Sequence, residues 1–226
     1  AEAEAAIRDM LAGNAFGEAG SRVVIEEFLE GEEASFIVMV DGEHVLAMAT
    51  SQDHKRVGDG DTGPNTGGMG AYSPAPVVTA DVHQRILDEV IYPTVRGMAA
   101  AGHPYKGFLY AGLMIDPSGA PKVIEFNCRF GDPETQPIML RMKSDLVALC
   151  QAAVDGRLDQ CQSEWDERAA VGVVLAAGGY PGSYAKGDAI TGLPDTEVDG
   201  EKVFHAGTRL EGDQVVTAGG RVLCAT

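Results

Sequence analysis

The chain has 226 residues, 45% of them apolar, which is enough for one large domain or two smaller ones with a substantial core. Its formal charge of -17 would repel phosphate backbones, so we expect no nucleic-acid partner. No window approaches the roughly 20 uninterrupted apolar residues of a membrane span, and no signal segment is recognisable, so we expect no membrane partner.

The four cysteines form no CxxC pair, and the five histidines show no metal-ligand spacing. We therefore expect reduced thiols and a cytoplasmic protein. The chain opens on AEAEAAIRDML, typical of the middle of a helix, and closes on GGRVLCAT, typical of the middle of a strand. From these two ends we expect a piece of a longer protein.

The first fifty residues predict a helix and then three strands, over 2–11 (ending at Gly13), 22–29, 34–40 and 44–49. Asp41-Gly42, between the last two strands, is a strong hairpin signal. Residues 51–76 hold so much Gly, Pro, Asp and Asn that we expect no regular structure there. A loop this long in a compact enzyme is usually functional or disordered.

The remaining elements predicted in chain order are a helix over 80–101, strands over 108–115 and 122–130, and a helix over 136–154. We expect Thr79 to cap the first helix and Pro93 to kink or split it. The second helix should break near Ser144, which would cap its second half, and stop at Gly156. Short β-like runs follow from about residue 170. We therefore predict an α+β fold, with one domain over 1–168 and a β-rich domain over 169–226.

Glu125 and Asn127 are two apart on a predicted strand, so both side chains should lie on one face. A carboxylate and an amide oxygen side by side are hard oxygen ligands, which suit Mg2+ carrying phosphates. An E-x-N pattern alone is more often two polar residues on the wet face of an edge strand.

The predicted strand runs directly into Arg129-Phe130-Gly131-Asp132-Pro133-Glu134. Arginine is suited to bidentate recognition of phosphate or carboxylate, and these charges follow the end of a strand. Buried without partners the cluster would cost several kcal/mol, so it is either exposed or engaged. A structural ion-pair network at a turn is the alternative.

A glycine-rich loop over 59–70 can bring backbone N–H groups together around an anion. It matches neither the Walker A loop nor the Rossmann fingerprint. Lys55 and Arg56 place two cations beside it, which fits phosphate binding better than a flexible linker. The segment 26–33 holds five further carboxylates. One of them could hold ribose hydroxyls, and a solvated acidic turn is the alternative.

These features, in this order, resemble the ATP-grasp superfamily, whose pattern is E-E-[aromatic]-L-x-G-x-E, then a cation-bearing loop, then a hairpin ending in E-x-N. RFGDPETQ at 129–136 and QDHKR with TGPNTGGMGAYSP within 52–74 are more specifically similar to the glycinamide ribonucleotide synthetase family. The resemblance covers the whole chain. It implies an ATP-grasp antiparallel sheet with flanking helices, followed by a small β-rich domain.

The resemblance also implies the reaction ATP + phosphoribosylamine + glycine → glycinamide ribonucleotide + ADP + phosphate, an early step of purine synthesis. A glycyl phosphate intermediate would form, and a monomer that binds only small molecules is expected. By this resemblance, the backbones of Glu26 and Leu29 would recognise adenine, Glu33 would bind the ribose hydroxyls, and Lys55 or Arg56 would contact phosphate. Glu125 and Asn127 would ligate Mg2+ (or Mn2+). The side of the site that takes the acceptor substrate would be lined by Asn65, Gly67, Gly68, Arg129 and Asp132. Within this set, Lys55, Arg129 and Asp132 are the candidate catalytic residues.

Two departures from the family pattern affect these expectations. Many ATP-grasp ligases carry a further acidic metal ligand on the first strand of the hairpin, where this chain has Gly112. We therefore expect phosphates and water to complete the metal shell. The family's N-terminal domain and most of the ATP lid are also expected upstream of Ala1, so the isolated chain should be inactive.

Two other functions remain open from the sequence. One is an ATP-grasp ligase that joins a different acid and amine, against which RFGDPE argues. The other is a non-catalytic nucleotide-binding fragment, which the expected absence of the lid keeps open.

Overall fold

The computed structural model describes residues 2–12, 17–194, 196 and 198–226, and it divides into two compact units, 1–30 and 31–226. The first unit contains helix α1 (Glu2–Leu11) and a short 3-10 helix (Gly17–Ser21). The predicted end of α1 at Gly13 lies outside the described residues. The strand predicted over 22–29 is wrong, since residues 23–30 form neither helix nor strand. A β-branched run needs a ladder partner, and the described part of this unit contains no second strand.

The second unit contains all the strands that the structure describes and, within the described residues, four further α-helices. In chain order the strands are β1 (Glu32–Asp41), β2 (Val45–Ala47), β3 (Gln52–Asp53), β4 (Arg56–Gly58), β5 (Thr62–Asn65), β6 (Gly70–Ser73), β7 (Lys106–Ile115), β8 (Pro121–Asn127), β9 (Ala170–Ala176), β10 (Val203–His205), β11 (Thr208–Glu211), β12 (Gln214–Thr217) and β13 (Arg221–Ala225). The α-helices are α2 (Ala80–Ile86), α3 (Tyr92–Ala100), α4 (Thr135–Arg141) and α5 (Leu146–Asp155).

A four-stranded antiparallel sheet, in the order β2-β1-β7-β8, forms the centre of this unit. Side chains alternate between its faces, so β1 sends Phe36 and Val38 to one side and Ile37 and Met39 to the other. The first face packs against residues of the 80–100 helical region, and the second packs against Ile138 of α4 and residues of α5. The predicted strands over 34–40, 44–49, 108–115 and 122–130 are confirmed in kind, with shifted ends.

Sequence signals predicted the helix caps with one exception. Thr79 accepts a bond from the Val82 N–H at 3.3 Å, and the expected irregularity near Pro93 is a π-helical turn between α2 and α3. Asp145, and not Ser144, caps α5, because its carboxylate accepts bonds from the backbone N–H groups of Val147 and Ala148. Gly156 ends α5 with φ of 73°, as predicted.

The segment 51–76, predicted to be irregular, instead contributes β3 and β6 to a five-stranded sheet in the order β10-β13-β9-β6-β3. Strands β4 and β5 form a separate two-stranded ribbon. The pairing of β6 with β9 runs from Gly70–Val173 to Ser73–Ala170, so strands from both sides of residue 168 share one sheet. The domain boundary between 168 and 169 stays a prediction.

Within the described part of the chain, no helix combines the length and the apolar character needed to cross a bilayer.

Candidate active site

Glu125 and Asn127 lie together on β8, at the edge of the central sheet. Glu125 pairs with Gly112 and Asn127 with Tyr110, and the register shifts between Gly112 and Leu113 so that Ile124 forms a bulge. The Asn127 amide donates to Glu125 Oε1 at 3.0 Å. The Glu125 carboxylate and the Asn127 amide therefore lie in contact on one face of β8, as their spacing predicted.

The donor set on this strand suits a hard divalent cation. Among the described residues, no group of three or more His, Cys, Asp or Glu side chains is arranged to hold a metal ion. Gly112 faces Glu125 across the ladder, so no acid adds a ligand there. A carboxylate and an amide oxygen fit Mg2+, which commonly uses one or two carboxylates and completes its shell with phosphate and water.

A buried hydrogen-bond network lies on the same face of the sheet. Ser35 of β1 donates to Glu134 Oε1 at 2.7 Å and shares a bond of 3.0 Å with the Tyr110 hydroxyl. Glu134 is only 2% exposed. Burial, with the Glu134 charge, raises the pKa of Tyr110 well above its usual range. The Arg129 guanidinium lies 5.9 Å from the centre of the Tyr110 ring. Sequence reasoning missed Ser35 and Tyr110, since neither belongs to a motif.

Lys55 and Glu33, to which the resemblance gives different roles, form an ion pair. Burial favours the neutral amine, but the hydrogen bond and charge of Glu33 outweigh it, so the pKa of Lys55 is raised. The charges of Asp53 and Glu125 act in the same direction, which places Lys55 in the field of the E-x-N pair. Arg56 instead donates to the Gly63 carbonyl oxygen at 2.6 Å, within the β4–β5 ribbon.

Asp53 of β3 is a half-buried carboxyl, and its Oδ1 is inaccessible to solvent and has no hydrogen-bond partner among the described residues. Burial, reinforced by the charge of Glu134 and, more weakly, of Glu33, raises the pKa of Asp53 to about 7. Lys55 and the His54 backbone N–H act in the opposite direction. At neutral pH the Asp53 carboxyl is therefore only partly ionised.

Replacing Asp53 with asparagine should stabilise the chain more at about pH 8 than at about pH 5. The folded state keeps its Asp53 proton up to a pKa of about 7, whereas the unfolded chain loses it near 3.8. Stability of the native chain therefore falls as pH rises through this window, and the amide removes that fall. We expect a relative gain of about 2 kcal/mol, measured by denaturant unfolding at both pH values. A pH-independent difference between the two proteins would contradict it.

The glycine-rich loop packs against Asp132-Pro133, which belongs to the RFGDPE segment. Gly68 has φ of +113°, and a Cβ there would lie 2.4 Å from Pro133 Cδ and 2.7 Å from Asp53 Oδ1. The predicted nest of free N–H groups is not formed at Gly67 and Gly68. Gly67 donates to the Tyr180 hydroxyl and Gly68 to Thr66 Oγ1, both at 3.0 Å.

Arg221 of β13 links the Gly67–Gly68 loop to Asp132. Its Nη1 donates to the carbonyl oxygens of Gly67 at 2.7 Å and Asp132 at 3.1 Å, and its Nη2 donates to Asp132 Oδ2 at 3.1 Å. Sequence reasoning missed Arg221, because 154 positions separate it from Gly67 and no local pattern marks it.

The remaining predicted site residues are Asn65, Glu26 and Leu29. Asn65 is exposed on β5, where it pairs with Arg56. Glu26 and Leu29 belong to the first unit, in the segment without regular structure. Their proposed contacts with adenine stay predictions.

Two family profiles match the chain. The first, described as the ATP-grasp (A) domain of phosphoribosylglycinamide synthetase, matches residues 1–135, and the second, described as the C domain of the same enzyme, matches residues 170–226.

Curated relatives include phosphoribosylamine–glycine ligases of Vibrio cholerae and Salmonella typhimurium, which are 79% and 78% identical over the whole chain. The chain covers 52% and 53% of these proteins, so it spans about half the length of the curated relatives it matches.

Solved structures show the same likeness. The phosphoribosylamine–glycine ligase of Thermotoga maritima is 36% identical, with a TM-score of 0.83 over 96% of this chain and 53% of that one. The biotin carboxylase domain of the Hydrogenobacter thermophilus 2-oxoglutarate carboxylase is 17% identical, with a TM-score of 0.63 over 98% of this chain and 46% of that one. The second match concerns the fold alone.

Proposed function

Because the chain belongs to the phosphoribosylglycinamide synthetase family, we propose that the whole protein is an ATP-dependent ligase that joins glycine to phosphoribosylamine. The products are glycinamide ribonucleotide, ADP and phosphate, in an early step of purine synthesis. The observation that carries the proposal is the meeting of Glu33, Lys55 and the Glu125–Asn127 pair beside one face of the central sheet.

The reaction needs two displacements. An oxygen of the glycine carboxylate attacks the γ-phosphorus of ATP, and ADP leaves with the electron pair of the broken bond. The amine nitrogen of phosphoribosylamine then attacks the carbonyl carbon of the glycyl phosphate. Phosphate leaves as the C–N bond forms, and the nitrogen loses a proton. Positioning and charge neutralisation account for most of the catalysis in such chemistry.

The chain's own residues supply both. Glu125 and Asn127 would hold Mg2+, or Mn2+ in its place, which neutralises charge on the phosphates when bound. Lys55 faces the transferred phosphate, and its ion pair with Glu33 keeps it protonated. That pair uses Glu33 Oε1, and we assign Glu33 Oε2 to the ribose hydroxyls. Arg129, whose guanidinium lies over the Tyr110 ring, would line the acceptor side together with Asn65, Gly67, Gly68 and Asp132.

The four cysteines are free thiols, which supports a cytoplasmic location for the whole protein.

A panel of acids tests the substrate. The whole protein is supplied with ATP, Mg2+ and phosphoribosylamine, and ADP release is followed with glycine, alanine or bicarbonate as the acid. We expect ADP release with glycine together with a product of the mass of glycinamide ribonucleotide. ADP release with another acid, and none with glycine, would overturn the proposal.

A further inference from the structure

The acceptor substrate of the proposed reaction carries a phosphate monoester, yet the N–H groups of Gly67 and Gly68, in the loop expected to bind an anion, are already engaged. Gly67 donates to Tyr180 and Gly68 donates to Thr66. The chain carries a net charge of -17, so a phosphate on this side requires a local positive group. Arg221 contacts Gly67, Gly68 and Asp132 through its guanidinium.

We propose that Arg221 binds the phosphate of the acceptor substrate and holds the Gly67–Gly68 loop in place for it. This inference rests on the proposed function, because it takes phosphoribosylamine as the acceptor. A guanidinium presents five N–H donors in a fixed fork that matches phosphate oxygens.

The contacts of Arg221 orient the guanidinium without covering it. Within the described part of the chain, Nη1 bonds the backbone carbonyls and Nη2 bonds Asp132 Oδ2, which leaves Nε and the second Nη2 hydrogen for an anion. Gly67 keeps the guanidinium face open, since a Cβ at that position would lie 3.1 Å from Cζ and 3.2 Å from Nε. A side chain at position 67 would therefore obstruct the phosphate.

The Arg221–Asp132 ion pair is open to solvent mainly on the Asp132 side. The Asp132 side chain is 56% exposed and that of Arg221 is 23% exposed. Ion pairs as open as this contribute little to folding. The Asp132 carboxylate fixes the direction of the fork, although its charge would repel a bound phosphate.

Tyr180 supports the same loop from the β-rich region. Its hydroxyl accepts the Gly67 N–H, and its ring packs so closely against Gly220 that a Cβ there would lie 2.3 Å from Tyr180 Cδ2. Tyr180 and Arg221, which both belong to the β-rich region, therefore hold the Gly67–Gly68 loop. This gives the β-rich region a part in acceptor recognition.

Steady-state kinetics of the whole protein test Arg221. In Arg221→Ala, we expect the KM for phosphoribosylamine to rise by about 10- to 100-fold, the range for loss of a charge-assisted hydrogen bond. The KM values for ATP and glycine should stay within about twofold, and Arg221→Lys should recover part of the loss because it keeps the charge. The control is Arg209→Ala, an exposed arginine of the same region that pairs with Glu211, for which all constants should stay unchanged.

Ribosylamine, which lacks the phosphate, separates binding from a merely structural role. Between the native protein and Arg221→Ala, kcat/KM should fall much less with ribosylamine than with phosphoribosylamine, because only the loop-holding role of Arg221 is lost with the shorter amine. Equal increases in all three KM values would overturn the assignment to Arg221. A kcat/KM that falls by the same factor with both amines in Arg221→Ala would overturn it as well. A native protein that releases ADP with glycine and ribosylamine but not with phosphoribosylamine would instead contradict the proposed acceptor.

Discussion

Replacing Glu125 with glutamine should lower the ligation rate of the whole protein by about 100-fold or more, with little change in folding. The amide keeps the size of the side chain and removes the negative charge that holds the cation. Glu125 is exposed at the edge of the sheet and receives a hydrogen bond from Asn127, so no buried contact is lost. The measurement is ADP release at saturating substrates, with circular dichroism as the check on folding.

The matched control for this change is Glu167→Gln, which removes the same charge from an exposed position. Its rate should equal that of the native protein. Unchanged rates in Glu125→Gln would mean that this strand face is not the metal site. Excess Mg2+ should recover part of the activity of Glu125→Gln if weaker cation binding is the cause.

Replacing Gly68 with alanine should destabilise the chain by about 2 to 4 kcal/mol. Its φ of +113° is strained for any residue with a Cβ, and that Cβ would lie within 2.4 Å of Pro133 Cδ and 2.7 Å of Asp53 Oδ1. Relief requires the loop to move away from the RFGDPE segment, so the whole protein should also lose affinity for phosphoribosylamine. Denaturant unfolding and the acceptor KM measure the two effects.

Gly97→Ala is the control for Gly68→Ala. Gly97 lies inside α3, and apart from the helix's own backbone a Cβ there would meet no heavy atom of the described residues within 4 Å. Alanine should therefore stabilise the chain by about 0.5 to 1 kcal/mol, through helix propensity and the unfolded state. Equal stability changes for the two variants would show that the loop is not packed as described.

Local patterns in the sequence predicted the elements whose causes are local. Period-2 alternation placed Glu125 and Asn127 together, and Thr79 and Gly156 marked helix ends through their own caps. The exception at Ser144 shows the limit, because Asp145 also offers a capping oxygen and the chain uses that one. Adjacent capping residues cannot be ranked without the backbone geometry.

Pairings between distant segments could not be predicted from patterns of this kind. Residues 70–73 contain too much Gly and Ser to predict a strand, yet pairing with β9 makes them one. The bond from Ser35 to Glu134 spans 99 positions, and that from Arg221 to Gly67 spans 154. Both depend on sheet register and loop packing, which only the assembled fold determines.

The resemblance of the motifs to a known family contributed what the residues alone did not. E-x-N and a glycine-rich loop each had an ordinary structural alternative, and the order of the features selected among them. The family membership now has independent support from the profiles and relatives, whereas the roles of the individual residues stay predictions.

The central claim is that the glycine carboxylate attacks ATP and that the amine then displaces phosphate from the glycyl phosphate. Glycine whose carboxylate oxygens both carry a heavy isotope tests it most directly, with the whole protein, ATP, Mg2+ and phosphoribosylamine. Transfer through glycyl phosphate predicts that each released phosphate carries one heavy oxygen and that the product amide retains the other. Phosphate without the heavy isotope, released together with glycinamide ribonucleotide, would contradict the account.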